Sequence, residues 1–187
     1  MSILTYPLGF IGGGKEFYNN VIENSLRFNY DDSAKLTKTF TTANRKTWTW
    51  SGWVKLARGG AIFGASPSSW QADIRFSSGE LQFFEEGGGG GPTTGWNVEY
   101  NTYRDPAAWY HLVAAVDTRQ VTANDRVIVY MNGKRQTPSP NTQPPQNYDG
   151  DYNNSLEHNI GGRTNVFFDG HATDIYFVDG HQLGPEN

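Results

Sequence analysis

The stretch Thr47–Lys55, which reads TWTWSGWVK, decides the fold. In an extended strand successive side chains point to opposite faces, so Trp48, Trp50 and Val54 share one face. The other face carries two threonines, a serine and a lysine together with Trp53. This alternation predicts a strand with one buried face, and large aromatic rings give that face a large apolar area to bury.

Further short strands are predicted on both sides of this stretch, separated by glycine, proline and asparagine. Trp109–Asp117 (WYHLVAAVD) is apolar on both faces, as expected of a central strand. Ser78-Gly79 marks a hairpin between two of the predicted strands. Asn132-Gly133 marks a tight turn, because an Asn-Gly pair accepts the positive φ that both central residues need. The remaining predicted strands are Ser25–Asn29, Leu36–Phe40, Ala61–Ala65, Asp73–Ser77, Glu80–Glu85, Trp96–Tyr100, Arg126–Tyr130, Glu157–Gly161 and Val166–Val178. The pattern predicts an all-β antiparallel sandwich.

Composition narrows the class of protein. The chain has 187 residues, enough for one domain with a sizeable core, and a net charge of −4. Without a cluster of lysine or arginine, binding to nucleic acid is not expected. The absence of cysteine excludes disulfides and thiolate zinc sites. We find no signal peptide and no apolar run of the roughly 20 residues that a membrane span needs, so we expect a soluble protein made in the cytoplasm.

Residues 1–24 differ from the rest and are predicted to form an extended arm, followed by the sandwich at 25–187. A glycine triplet at 12–14 forms a flexible joint. Two readings stay open: the arm folds back over an open edge of its own sandwich, or it docks on a partner subunit and tethers the domain. The side chains expected to dock are Tyr6, Leu8, Phe10, Ile11, Phe17 and Tyr18.

Five segments, taken in order, resemble the laminin-G-like (concanavalin A-like) jelly-roll family. They are SLRFN at 25–29, TWTWSGWVK at 47–55, AWYHLVAAVD at 108–117, VIVYMNGK at 127–134 and FDGHATDIYFVDGHQL at 168–183. A narrower resemblance, carried by NRKTWTWSGWVK, RDPAAWYHLVAAVDT, DRVIVYMNGK and HNIGG, is to the laminin-G-like domains of bacteriophage virion proteins, especially those of marine phages.

That resemblance implies a non-enzymatic structural protein on the virion surface, as a capsid decoration, head fibre or tail-associated component. Its partners would be capsid, portal or tail subunits and further copies of itself. The alternative is a carbohydrate-binding module for host or environmental glycans. Hydrolases with this sandwich usually carry their carboxylates in a Glu-x-Asp-x-x-Glu run, which the sequence lacks, so no catalytic residue is assigned.

Trp70 and Trp96, which lie outside the obvious core strands, are candidates for stacking on a sugar, and Tyr100 could add to their surface. Trp53, on the polar face of its strand, is a fourth candidate. The alternative for each ring is that it covers a loop. No cofactor is expected apart from calcium, for which Asp149, Asp151 and Asn153 supply side-chain oxygens at alternate positions. A solvated turn, in which these side chains bond to their own backbone, explains the same pattern.

Overall fold

The computed structural model describes residues 23–41, 43–65, 72–85, 96–138, 141–163 and 165–187. Within these ranges the chain is built from strands and one 3-10 turn at Ala123–Asp125. The strands are Leu26–Phe28 (β1), Leu36–Thr39 (β2), Thr47–Ala65 (β3), Ala72–Ser77 (β4), Glu80–Glu85 (β5), Trp96–Thr102 (β6), Trp109–Asp117 (β7), Val127–Met131 (β8), Lys134–Arg135 (β9), Asn141–Thr142 (β10), Glu157–Ile160 (β11), Gly162–Arg163 (β12), Val166–Phe167 (β13) and Asp169–Asp179 (β14).

The antiparallel strands form two layers that share the long strand β3. Its first half pairs with β7 and β14, and the sheet continues to β8, β9 and β1; we call this sheet A. Its second half pairs with β4 and β11, and the sheet continues through β5 and β6 to β10 and through β11 to β2; we call this sheet B. The predicted antiparallel sandwich is confirmed.

The prediction of separate strands at Thr47–Lys55 and Ala61–Ala65 is wrong, because the structure joins them into β3. The passage between the layers falls at Gly59 and Gly60, which have φ values of +96° and +105°. A Cβ atom at Gly60 would collide with the carbonyl oxygen of Phe167. Only glycine meets both demands, and the strand therefore bends without ending.

The core lies between the two sheets and is strongly aromatic. Trp48 and Trp50 are fully buried on the inner face of sheet A, as the alternation predicts. Trp48 meets Phe83 of sheet B with ring centroids 5.9 Å apart, and it meets Tyr152 at 5.0 Å. These aromatic contacts join the two sheets across the core.

Both predicted hairpin turns are confirmed. Ser78 and Gly79 have φ values of +53° and +85°, and Asn132 and Gly133 have +50° and +76°. Positive φ at both central residues gives a turn whose twist matches that of the strands. The Ser78-Gly79 turn fixes the register of β4 against β5 and so decides which outer side chains become neighbours.

The predicted strand at Val166–Val178 is divided in two, β13 and β14. A bulge lies in β14 between Thr173 and Tyr176, with Asp174 at φ +47°. In the part of the chain that the structure describes, no helix is long and apolar enough to cross a membrane.

Candidate functional site

A polar groove of about 330 Å³ lies on the outer face of sheet B. It is lined by Arg75, Gln82, Phe84, Asn97, Glu99 and Thr142, with Glu85 and Trp96 at its end. Strand pairing sets the spacing of these groups: Arg75 is opposite Gln82, and Gln82 is opposite Glu99. Three planar polar side chains thus lie side by side across three strands.

Hydrogen bonds hold the polar groove in one arrangement. Arg75 Nε donates to Gln82 Oε1 at 2.8 Å, and Gln82 Nε2 donates to Glu99 Oε1 at 3.3 Å. Asn97 Nδ2 donates to the same Glu99 oxygen at 2.8 Å. The Arg75 guanidinium also lies 4.4 Å from the centre of the Phe84 ring, a cation–π distance. Of the three guanidinium nitrogen atoms of Arg75, Nε alone has a hydrogen-bond partner among the described residues.

A buried ion pair supports the polar groove next to Arg75. Arg163 Nε donates to Asp73 Oδ2 at 2.5 Å, and the side chains of Arg163 and Asp73 are 6% and 0% exposed. The second Asp73 oxygen lies 3.9 Å from Arg75 Nε. Because both members of the pair are buried, removing Asp73 would take the carboxylate away from a guanidinium in the protein interior.

At the end of β5 a buried carboxyl group holds the loop that follows β10. Glu85 Oε1 accepts hydrogen bonds from the Tyr148 hydroxyl at 2.7 Å and from the Asp151 amide at 3.0 Å. Glu85 Oε2 is buried and has no hydrogen-bond donor among the described residues. Burial, reinforced by the nearby Asp151 carboxylate, raises the pKa of Glu85 from 4.5 to about 7, although the Tyr148 hydrogen bond opposes the shift.

A second groove, of about 460 Å³, lies on the outer face of sheet A, and we call it the apolar groove. Trp53, Val113 and Tyr176 line it on three neighbouring strands, together with His111. The C-terminal segment, residues 180–187, crosses the same face and forms one wall. Burial lowers the pKa of His111 to about 4, so this ring is neutral at physiological pH.

Thr49 fixes the C-terminal segment to sheet A. Its hydroxyl donates to the carbonyl oxygen of His181 at 2.7 Å and accepts from the amide of Leu183 at 2.9 Å. The side-chain amide of Gln182 reaches past the sheet to the carbonyl oxygen of Asp125 at 2.8 Å. The wall of the apolar groove is therefore hydrogen-bonded into place.

The structure separates the four aromatic candidates. Trp53 lines the apolar groove. The expectation that Trp96 and Tyr100 are exposed is wrong: they are 4% and 3% exposed and belong to the core, although Trp96 also borders the polar groove. They alternate with Asn97 and Glu99 along β6, so their rings face inward whenever the polar side chains face outward. Trp70 lies outside the described residues.

The six side chains predicted to dock on a partner also lie outside the described residues. They are Tyr6, Leu8, Phe10, Ile11, Phe17 and Tyr18. The division into an arm at 1–24 and a sandwich at 25–187 stays a prediction. The described part of the sandwich begins its first strand at Leu26.

The three calcium candidates each have protein partners. Asp149 is exposed, with Oδ2 3.3 Å from Lys46 Nζ, and Asp151 lies 3.8 Å from Arg45. Asn153 donates both hydrogen bonds of its amide to oxygen atoms of the protein. No group of three or more His, Asp or Glu side chains is arranged for a metal within the described ranges. Calcium binding at these residues stays a prediction.

Of the residues that line the polar groove, only Trp96 was a candidate from the sequence, and the polar side chains were missed. A signal for part of it was present: Arg75 and Gln82 are equally distant from the Ser78-Gly79 turn, as are Asp73 and Phe84. A two-residue hairpin makes such residues direct neighbours. The approach of Arg163 depends on a distant strand and had no local signal.

The comparisons with known proteins agree with this architecture. Residues 28–181 match the family model described as the concanavalin A-like lectin/glucanases superfamily. A search of the curated proteins gives no significant match. Among solved structures, mouse laminin alpha1 chain domains LG4-5 are similar, with 12% identity, a TM-score of 0.53, and coverage of 80% of this chain and 44% of that chain.

Two other similar structures carry glycans according to their descriptions. A CBM40 domain of a Ruminococcus gnavus sialidase bound to alpha2,3 sialyllactose has 7% identity and a TM-score of 0.54, covering 82% of this chain and 95% of that chain. The binding domain of botulinum neurotoxin DC in complex with SialylT has 15% identity and a TM-score of 0.53, covering 81% and 37%. At these identities the likeness shows the fold alone.

Proposed function

Because the chain belongs to the concanavalin A-like lectin/glucanases superfamily, we propose that it is a non-enzymatic domain that binds glycans in the polar groove of sheet B. The observation that carries the proposal is the hydrogen-bonded row Arg75–Gln82–Glu99, fixed across three strands and joined by Asn97. Rigid polar side chains in a groove lose little entropy when they bind a ligand.

The chemistry of the polar groove suits sugar hydroxyl groups. The Nη groups of Arg75 are donors, and the second Glu99 oxygen is an acceptor. The second Asn97 side-chain atom, Oδ1, is buried and has no donor among the described residues. Phe84 adds an apolar surface beneath the guanidinium. Neighbouring donors and acceptors of this kind match the adjacent hydroxyl groups of a sugar ring.

The position of the carboxyl groups supports binding without hydrolysis. Glu99 faces out of sheet B into the polar groove, whereas Glu85 shares its face of β5 with Leu81 and Phe83 and is 2% exposed, at the end of that groove. Retaining and inverting glycosidases both need two carboxyl groups on either side of one scissile bond. Because Glu85 is buried and its Oε1 already accepts from the Tyr148 hydroxyl and the Asp151 amide, we assign it to holding the loop and not to hydrolysis.

The similar structures support a glycan as ligand. The CBM40 domain is described with sialyllactose and the neurotoxin binding domain with SialylT, so sandwiches of this shape hold sugars in at least these proteins. This chain spans 37% of the neurotoxin chain, and its own ligand is proposed from its own groove.

A glycan array tests the proposal with the full chain and two matched variants. Arg75→Ala removes the central donor of the polar groove, and we expect binding to the best glycan to fall by about 10- to 100-fold, the cost of a lost charged hydrogen bond. Arg104→Ala, an exposed arginine outside this groove, should bind as the wild type does. Equal loss in both variants, or no glycan bound by the wild type, contradicts the proposal.

The setting that we propose is the surface of a bacteriophage particle. The support is the resemblance of four sequence motifs to virion proteins of marine phages. There the domain would be a capsid decoration, head fibre or tail-associated component, present in several copies and bound to other virion proteins. Cryo-electron microscopy of the purified virion tests this: density for the sandwich on the particle supports the setting, and its absence contradicts it. Neither outcome alters the glycan test.

A further inference from the structure

The apolar groove of sheet A begins where the described N-terminal part of the chain starts. Thr173 Oγ1 donates to the carbonyl oxygen of Asn24 at 2.9 Å, which fixes residue 24 against β14. A cavity of about 360 Å³ next to it is lined by Glu23, Asn24, Ser25, Trp53 and Trp109. Trp53 also lines the apolar groove. Glu23, the first described residue, therefore lies next to a cavity that shares Trp53 with the apolar groove.

The chemistry of residues 1–22 matches the apolar groove. Their sequence, MSILTYPLGFIGGGKEFYNNVI, has two charged residues, Lys15 and Glu16, and is otherwise dominated by apolar and aromatic side chains. The apolar groove presents Trp53 and Tyr176 beside the buried Val113, and Asp174 supplies one acidic group. A segment of this composition exposed to water would promote aggregation, and an apolar face would do the same.

The length of the segment is sufficient. An extended chain spans about 3.3 Å per residue, so the nine residues from Ile3 to Ile11 alone reach roughly 30 Å. Gly12–Gly14 permits a change of direction between this part and the part nearest Glu23. The face already accepts one chain end, since Thr49 holds the C-terminal segment across it.

From this geometry we infer that residues 1–22 dock in the apolar groove of their own chain. Docking would cover Trp53 and Tyr176 with the apolar residues of the segment. Both ends of the chain would then lie on the outer face of sheet A. The polar groove of sheet B would stay open. The inference does not depend on glycan binding.

A spin label in the full chain tests this inference. The chain has no cysteine, so Gly13→Cys gives a single attachment site between the two apolar parts of the segment. A nitroxide there should broaden the backbone amide signals of Ser51, Val113 and Tyr176 relative to a diamagnetic label. The amide signals of Gln82 and Glu99, on the opposite outer face, should stay sharp. Uniform broadening, or broadening of sheet B, overturns the inference.

Two controls make the result specific. Tyr176→Asp places a charge in the apolar groove at a side chain that is 60% exposed, and it should abolish the broadening of Ser51 and Val113. Val121→Asp, at a side chain that is 83% exposed and not part of the groove lining, should leave it unchanged. Mixing spin-labelled chains with isotope-enriched unlabelled chains should give no broadening. Broadening in that mixture assigns the groove to the segment of a second copy and overturns docking within one chain.

Discussion

The C-terminal segment crosses the outer face of sheet A, whereas the outer face of sheet B carries a groove lined by polar side chains. The same strand, β3, runs through both layers. On sheet A, Thr49 uses its hydroxyl to hold a piece of backbone over an apolar groove. On sheet B, Arg75, Gln82 and Glu99 bind one another and keep a groove accessible. One face thus carries a segment of the chain itself, and the other carries the groove that we propose binds a glycan.

The largest expected loss of stability comes from breaking the buried ion pair beneath the polar groove of sheet B. Asp73→Ala leaves the buried Arg163 guanidinium without its carboxylate, and we expect a loss of about 3–5 kcal/mol in the free energy of unfolding. Urea denaturation followed by tryptophan fluorescence measures it. The double variant Asp73→Leu with Arg163→Met should recover most of the loss, because a well-packed apolar pair can replace a buried ion pair. A loss below about 1 kcal/mol for the single variant would show that the pair does not support the sheet.

The next effect depends on pH. Burial raises the pKa of Glu85 from 4.5 to about 7, so between these values the folded chain keeps a proton that the unfolded chain has lost. The stabilisation is complete below about pH 4.5 and decreases as the pH rises, with roughly 3 kcal/mol lost above pH 7. The pKa of Asp151 is raised as well, by burial, and its shift acts in the same direction.

Glu85→Gln keeps a neutral group at this position and should remove most of this pH dependence. We would compare the unfolding free energies of wild type and variant at pH 5 and pH 8 in urea. Glu80→Gln, at the exposed start of β5, is the matched control and should retain the wild-type decrease. If Glu85→Gln loses as much stability as the wild type at high pH, Glu85 is not the group responsible.

A smaller loss of stability is expected when the C-terminal segment is released from sheet A. Thr49→Val keeps the shape of the side chain and removes the hydroxyl that binds His181 and Leu183, at an expected cost of about 1–2 kcal/mol. Hydrogen exchange should become faster at the amide of Leu183 and stay unchanged at Gln82 on sheet B. Equal acceleration on both sheets would mean that the two faces are not independent.

The smallest expected effect separates binding from stability. Arg75→Ala should cost at most about 1 kcal/mol, because its side chain is partly exposed and its interactions are screened by water. The same variant is expected to lose glycan affinity strongly. Thermal unfolding measures the first quantity. A large loss of stability would indicate that the Arg75–Gln82–Glu99 hydrogen bonds stabilise the sheet and that their role is structural.

The parts of the fold that depend on local alternation and turn chemistry could be predicted from the sequence. The inward face of β3 and the hairpin turns at Ser78-Gly79 and Asn132-Gly133 follow from side-chain period and positive φ. The continuity of β3 could not, because the bend at Gly59 and Gly60 depends on the approach of β13 from the other end of the chain.

The site was harder to predict for a related reason. Trp96 and Tyr100 were expected on the surface because they lie next to glycine-rich sequence, but the pairing of β5 with β6 turns them into the core. That same pairing turns Asn97 and Glu99 outward. A polar strand residue looks like ordinary surface until its neighbours across the sheet are known.

The most direct test of the central claim is to map where a glycan binds. Backbone amide signals of the full chain would be recorded while oligosaccharides selected on the array are added. We predict concentration-dependent shifts at Arg75, Gln82, Asn97 and Glu99, with none at Trp53 or Tyr176. Shifts confined to Trp53 and Tyr176, or no shift at saturating sugar, would contradict the assignment of the polar groove as the binding site.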